Sequence, residues 1–287
     1  MNEDAEPSER CFQPAPHTSR YVEAPGARLH YLDYGTAGWP PILCVHGGAA
    51  HGHWFDFFAP GFTARHHVHA LDLRGHGDSE WMNPPAYTYQ LHASDLAHVI
   101  ERLELRDLVL VGHSMGGLVS LVYVATHPER VRALVVVDST LRMPEERAAL
   151  LREVGSRPGS RYSTADELAS HYRLQPAGST APPEIVRYLA ERGARQLPDG
   201  TWTYKFDRHV YGQRTGLDGV PYLRHIAVPV LLVKGDRSNR ITPEALAEAR
   251  ALCPYLEFVE VPHSDHHVFL DNPPGFERVV KEFLAKH

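Results

Sequence analysis

The chain has 287 residues, of which 43% are hydrophobic, so it can bury a sizeable core in one large α/β domain. Its formal net charge is −6 and its basic residues do not cluster, so a nucleic-acid partner is not expected. The three cysteines are widely spaced and argue for a reducing compartment. No long apolar run predicts a membrane span, and the polar, acidic start predicts no secretion signal. We therefore expect a cytoplasmic protein without a membrane partner, and the sequence leaves its oligomeric state open.

Taken in chain order, residues 1–18 carry three prolines and no periodicity, which predicts a disordered leader. Residues 28–34 then alternate between apolar and polar, as in a half-exposed strand. Later runs are almost entirely apolar, which is typical of strands in a parallel sheet covered on both faces. These runs are residues 42–45, 68–71, 108–111, 134–137 and 230–233.

Helical patterns alternate with these runs, which predicts a doubly wound α/β sheet. The helical patterns are residues 91–103, 118–126, 243–251 and 273–285. Residues 141–222 break the alternation, since they are arginine-rich, helical in pattern and without a buried strand. We expect an insertion there, between core parts 19–140 and 223–287. Its small excess of basic residues favours solvated helix faces over a site for anionic substrates.

The run at residues 108–111 leads directly into a G-x-S-x-G motif, Gly112-His-Ser-Met-Gly116. Where a strand reverses abruptly into a helix, backbone passes very close to backbone, and the two glycines remove the β-carbons that would clash. Met115 then opens a helix whose free N–H groups point toward the serine hydroxyl. This arrangement makes Ser114 the candidate nucleophile.

A serine hydroxyl needs a histidine to take its proton and a carboxylate to orient that histidine. On such a strand–turn–helix scaffold the partners follow the serine in the order acid, then histidine. A loop with three histidines, residues 262–274, follows the strand pattern of residues 256–261, where this base is expected.

Together with further motifs, these features make the chain resemble the α/β-hydrolase superfamily over residues 20–140 and 225–287. The further motifs are His46-Gly-Gly, Asp72-Leu-Arg-Gly-His-Gly-Asp-Ser79 and His127-Pro-Glu-Arg-Val. The resemblance implies an eight-stranded, mostly parallel sheet with a helical cap, residues 141–222, inserted after strand 6.

In that family the late loop resembles V-P-x-x-x-H, which implies that His266, four residues after Pro262, is the catalytic base. His263 and His267 are the alternatives. The resemblance also implies that the backbone N–H groups of Gly48 and Met115 form the oxyanion hole.

The acid departs from the usual family pattern, which is G-x-x-D after the seventh strand. Here Ser238 stands at that position, and Asp236 comes two residues too early. Some members carry the acid after the sixth strand instead, which matches Asp138. We therefore expect Asp138 to be the acid, with Asp236 as the alternative. The non-catalytic explanation for Asp138 is that it caps the helical segment that follows.

The sequence predicts no metal site and no cofactor. Twenty histidines invite a metal interpretation, but His51-Gly-His53 and residues 66–69 lack the helical spacing and glutamate of a zinc protease.

The predicted function is that of a carboxylesterase-like serine hydrolase, which cleaves an ester or related carbonyl of a moderately apolar small molecule through an acyl-enzyme. The alternatives use the same triad for carbon–carbon hydrolysis, aminopeptidase action or cofactor-free dioxygenation of heteroaromatics. A non-catalytic ligand-binding protein on the same fold is a further alternative. Epoxide-opening and halide-displacing activities are disfavoured, because those members carry aspartate in place of the serine.

Overall fold

An eight-stranded sheet forms the centre of the protein in the computed structural model, which describes residues 13–287. The spatial order is β1-β2-β4-β3-β5-β6-β7-β8, and within this sheet β2 alone runs antiparallel to the other strands. The strands are β1 Thr18–Ala24, β2 Ala27–Asp33, β3 Pro41–Val45, β4 His67–Leu71, β5 Leu108–His113, β6 Val131–Val137, β7 Val230–Gly235 and β8 Leu256–Val261. The predicted doubly wound, mostly parallel sheet is confirmed.

Helices cover both faces of the sheet and fill the segment between β6 and β7. Several begin at a side-chain cap that accepts a backbone N–H, namely Thr88, Thr164, Thr242 and Asn272. The helices are α1 Tyr89–Arg102, α2 Met115–Val124, α3 Glu145–Ser156, α4 Ala165–His171, α5 Pro183–Arg192, α6 His209–Gly212, α7 Pro243–Leu252, α8 Val268–Asp271 and α9 Pro273–Leu284. Within residues 13–287, none of them is both long and apolar enough to cross a bilayer.

Two apolar clusters pack on opposite faces of the sheet. Successive side chains of β5 alternate between the two clusters. Leu108 and Leu110 belong to the cluster that includes α1 and α2, whereas Val109 and Val111 belong to the cluster that includes α9. Successive side chains of a strand point to opposite faces, so a central strand needs apolar residues at every position. This explains why the apolar runs identified the central strands.

The amino-terminal part differs from the predicted leader. Residues 1–12 lie outside the described residues, but Ala15 is buried and donates its N–H to the Asp56 carbonyl at 2.8 Å. β1 begins at Thr18 and pairs antiparallel with β2 along its whole length. Most of its residues are exposed, so it lacks the apolar run that marks the buried strands.

The segment between β6 and β7 contains helices α3 to α6 and two short strand pairs. Residues Arg142–Met143 pair with Leu217–Asp218, and Ala194–Gln196 pair with Trp202–Tyr204. Strands of two or three residues are too short to give a periodic signal, so the helical pattern conceals them.

The turn after β5 requires glycine at two positions. A β-carbon on Gly116 would lie 2.3 Å from the Val45 carbonyl oxygen, at the end of β3. One on Gly112 would lie 2.6 Å from the Gly116 carbonyl oxygen. The obstructing atoms belong to backbone and cannot rotate away, which confirms the steric role predicted for these glycines.

We expect Gly116→Ala to lower the free energy of unfolding by about 1–3 kcal/mol, because β3 and α2 must move apart to admit the methyl group. Gly212→Ala is the matched control, since a β-carbon there meets no heavy atom within 4 Å. Urea unfolding of both variants measures the difference. Equal unfolding midpoints would show that the close approach does not constrain the fold.

Candidate active site

Ser114 lies on a strained turn between β5 and α2. Its φ is +52° and its ψ is −116°, a conformation that L-residues rarely adopt. The surrounding chain holds it there, since its N–H donates to the Val137 carbonyl at 2.9 Å and its carbonyl accepts from Ser139 Oγ at 2.7 Å. The hydroxyl is thereby presented at the carboxyl edge of the sheet.

A chain of hydrogen bonds runs from Ser114 into the protein. Nε2 of His266 lies 3.0 Å from Ser114 Oγ, and Nδ1 of His266 lies 2.7 Å from Asp138 Oδ2. Asp138 is fully buried and His266 is 5% exposed. The structure therefore brings together the three residues expected to form a triad.

The alternative histidines do not make these contacts. His263 is exposed, with a φ of +57°. His267 is buried, and burial lowers its pKa to about 3. Its Nδ1 has no hydrogen-bond partner within residues 13–287. Geometry thus favours His266 as the proton acceptor.

Contacts from the end of β7 and from the loop after it hold Asp138 in position. Ser238 Oγ donates to Asp138 Oδ2 at 2.7 Å, and the Gly235 N–H donates to Oδ1 at 3.3 Å. The side chain caps no helix, since α3 begins only at Glu145 with Pro144 at its cap. Ser238, which stands at the usual acid position of the family, therefore hydrogen-bonds to Asp138.

Asp236, the alternative acid, is exposed, and its carboxylate binds a backbone N–H of a neighbouring loop. Its Oδ1 accepts the Ser264 N–H at 3.0 Å, which ties the loop after β7 to the loop after β8. It makes no hydrogen bond to His266 within the described chain.

His113 positions the histidine loop, a role that the sequence did not reveal. Its Nε2 donates to the backbone carbonyl of His266 at 2.9 Å. Burial lowers its pKa well below the usual range, so the ring stays neutral. A histidine inside the G-x-S-x-G motif gives no sequence signal for a contact 153 residues away.

The predicted oxyanion donors border the same cavity as Ser114. Neither the Gly48 nor the Met115 N–H has a partner among residues 13–287. The turn that carries Gly48 is held by His46, whose Nδ1 donates to the Gly47 carbonyl at 2.6 Å and whose Nε2 accepts the Leu73 N–H at 3.0 Å. His46 thus holds the turn through both ring nitrogens.

The cavity beside Ser114 has a volume of about 210 Å³. The core supplies part of its wall and residues 141–222 supply the rest. Apolar side chains are interleaved with three arginines in this wall. The lining includes Trp54, Leu118, Met143, Leu151, Tyr211, Arg147, Arg214 and Arg240.

Three groups within the described chain have the composition of metal ligands: His17, His53 and Asp56; Asp33, His67 and His69; and His30, Asp72 and Asp78. The acids of these groups already accept hydrogen bonds from the protein. Asp72, for example, accepts from His30 and from the N–H groups of Gly52 and Asp78. Although burial opposes ionisation, these bonds and the nearby histidines hold the pKa of Asp72 below its usual range.

Comparison with known proteins agrees with this architecture. An esterase of Mycobacterium tuberculosis is 29% identical over 251 residues, which cover 85% of this chain and 83% of the esterase. A 2-(acetamidomethylene)succinate hydrolase of Mesorhizobium japonicum is 29% identical over 93% of this chain and 95% of its own length. The crystal structure of an E-2-(acetamidomethylene)succinate hydrolase superposes with a TM-score of 0.82 at 25% identity, over 94% of this chain and all of the other.

These relatives are hydrolases, and the family model described as the alpha/beta hydrolase fold matches residues 40–273. The chain therefore belongs to the α/β-hydrolase superfamily.

Proposed function

We propose that the protein is a serine hydrolase that cleaves an ester or related carbonyl compound through an acyl-enzyme. The observation that carries this proposal is the unbroken hydrogen-bond chain from Asp138 through His266 to Ser114 Oγ. The hydrolase relatives support the reaction class. One of these relatives is named an esterase and the other a hydrolase of a substituted succinate. The bond proposed to be cleaved is therefore that of an ester or a related carbonyl compound.

In the first half-reaction, Ser114 Oγ attacks the carbonyl carbon and passes its proton to Nε2 of His266. Asp138, hydrogen-bonded to Nδ1, stabilises the imidazolium that forms. The N–H groups of Gly48 and Met115 donate to the oxyanion of the tetrahedral intermediate. The leaving group takes the proton from His266, and the acyl group remains on Ser114.

In the second half-reaction, water gives a proton to Nε2 of His266 and attacks the acyl carbon. Collapse of this intermediate breaks the bond to Ser114 Oγ, which recovers the proton from His266. The free acid leaves and the enzyme returns to its starting state.

We also propose that residues 141–222 form a cap over a core made of residues 19–140 and 223–287. Support comes from the cavity, since this segment contributes much of its wall. The two ends of the segment lie side by side, because Arg142–Met143 pair with Leu217–Asp218. A small-molecule substrate bound at Ser114 is then enclosed between cap and core.

A fluorophosphonate probe tests the nucleophile. We expect it to label the wild-type protein and Ser156→Ala, whose serine is exposed on α3, but not Ser114→Ala. Intact-mass analysis measures the adduct. Equal labelling of Ser114→Ala and the wild type would overturn the assignment, and a protein that neither reacts nor hydrolyses esters would fit a ligand-binding function instead.

A second experiment tests the acid. We expect Asp138→Asn to lower kcat by roughly four orders of magnitude, because the amide favours the wrong tautomer of His266. Asp236→Asn should change kcat by less than about threefold, since its carboxylate holds only a loop. A loss confined to Asp236→Asn would contradict the proposal.

A third experiment moves the acid to the usual position. Because Ser238 Oγ lies 2.7 Å from Asp138 Oδ2, a carboxylate introduced at residue 238 should come within reach of His266. We expect Ser238→Asp in the Asp138→Asn background to recover about tenfold or more of the lost kcat. Asn239→Asp in the same background is the control. Equal recovery by both, or by neither, would show that position 238 does not substitute for Asp138.

A further inference from the structure

Arg214 is a buried arginine beside the proposed oxyanion hole. Its side chain lines the cavity and the residue is 5% exposed. Nη2 donates to Sδ of Met115 at 2.8 Å, and a β-carbon built on Gly48 would lie 3.6 Å from the same nitrogen. The guanidinium is therefore next to both residues proposed to bind the oxyanion.

This guanidinium has no counter-charge in the described chain. No carboxylate of residues 13–287 forms an ion pair with it, and its buried Nε has no hydrogen-bond partner. The Met115 thioether is a weak, uncharged acceptor. Arg74, also buried, provides the contrast, because two of its N–H groups donate to the Asp95 carboxylate. A buried cation is costly without a partner, which points to an anion supplied by a ligand.

Arg147 brings a second positive charge to the same place. It projects from α3 into the cavity wall, and it too lacks an ion pair with any residue from 13 to 287. The Arg214 guanidinium carbon itself lies against aromatic rings, 5.1 Å from the Tyr89 ring centroid and 5.8 Å from that of Tyr211. The wall of one cavity thus carries two arginines that have no ion pair within residues 13–287.

We infer that Arg214 and Arg147 form an anion subsite that binds a carboxylate of the substrate. The substrate is then a small carbonyl compound that carries a carboxylate close to the bond that is broken. The planar fork of a guanidinium matches a carboxylate through two parallel N–H donors. Trp54, Leu118 and Leu151 supply apolar wall for the carbon skeleton. This inference rests on the proposed hydrolase function and adds the substrate class to it.

Matched ester pairs test the subsite. Monomethyl succinate and methyl butanoate differ by a carboxylate in place of a methyl on the acyl side, and acetoxyacetate and ethyl acetate differ in the same way on the alcohol side. The hydrolysis of each is followed by pH-stat for the wild type, Arg214→Gln and Arg147→Gln. Arg187→Gln, an exposed arginine of α5 outside the cavity, is the control.

For at least one pair, we expect the wild type to prefer the carboxylate ester by at least tenfold in kcat/KM. Arg214→Gln should reduce that preference by about 30-fold, because hydrogen bonds between a guanidinium and a carboxylate are stronger than those between neutral groups. Arg147→Gln should reduce it by a smaller factor. Arg187→Gln should leave both rates and the preference unchanged. If Arg214 served only the oxyanion, both esters of a pair would lose rate equally and the preference would stay, which would overturn the inference. A wild type that prefers the neutral esters would overturn it as well.

Binding without turnover separates the subsite from the proposed chemistry. In the Ser114→Ala variant, monomethyl succinate or acetoxyacetate should raise Tm at millimolar concentration, and its neutral partner should not. Adding Arg214→Gln should abolish the shift, with circular dichroism to verify folding. A carboxylate-dependent rise in Tm without fluorophosphonate labelling of the wild type would contradict the hydrolase proposal and support the anion subsite. Labelling with no carboxylate-dependent shift would do the reverse.

Discussion

The close contact between the start of α2 and the end of β3 sets the geometry on which the site depends. Gly116 brings the helix against the carbonyl oxygens of Val45 and His46, at distances that admit no side chain. Because β3 continues into the turn that carries Gly48, the same contact places that turn beside Ser114. One steric requirement therefore fixes both the strained serine and the loop proposed to hold its oxyanion. Backbone amides in such a frame need no reorganisation during reaction, which is what makes them effective donors.

The proposed acid, Asp138, shows how a site can keep its geometry while a residue changes position in the sequence. β6 and β7 are adjacent and parallel, so their carboxyl ends meet at one edge of the sheet. A carboxylate on either loop can approach the same imidazole. In this chain the carboxylate comes from Asp138, and Ser238 on the neighbouring loop donates to it. Burial removes Asp138 Oδ2 from water, and the Ser238 hydroxyl supplies one of the hydrogen bonds that water would have made.

The sequence was sufficient for those features that leave a local pattern. Central strands such as β5 need apolar residues on both faces, and the glycines around Ser114 answer a steric need, so both were visible. β1 was not, because an exposed edge strand carries no apolar run. The contact from His113 to the His266 carbonyl, and the position of Arg214 against Met115, join residues far apart in the chain. Such contacts depend on tertiary packing, and no local spacing encodes them.

The arginines between β6 and β7 show what a bulk charge count leaves out. A small excess of basic charge over 82 residues predicts solvated helix faces. What matters at the cavity is which charges are buried and which are neutralised.

Burial lowers the pKa of His113, and that of His267 to about 3, so these rings next to His266 carry no charge near neutral pH. The permanent positive charges of the side chains that line the cavity therefore belong to Arg147, Arg214 and Arg240, and they add a positive potential at Ser114. Because that potential acts on any negative charge in the cavity, it favours an anionic substrate in the ground state and the oxyanion in the transition state alike. A carboxylate that neutralises Arg214 weakens its pull on the oxyanion, which leaves the proposed donors, the backbone amides of Gly48 and Met115, to distinguish the two states.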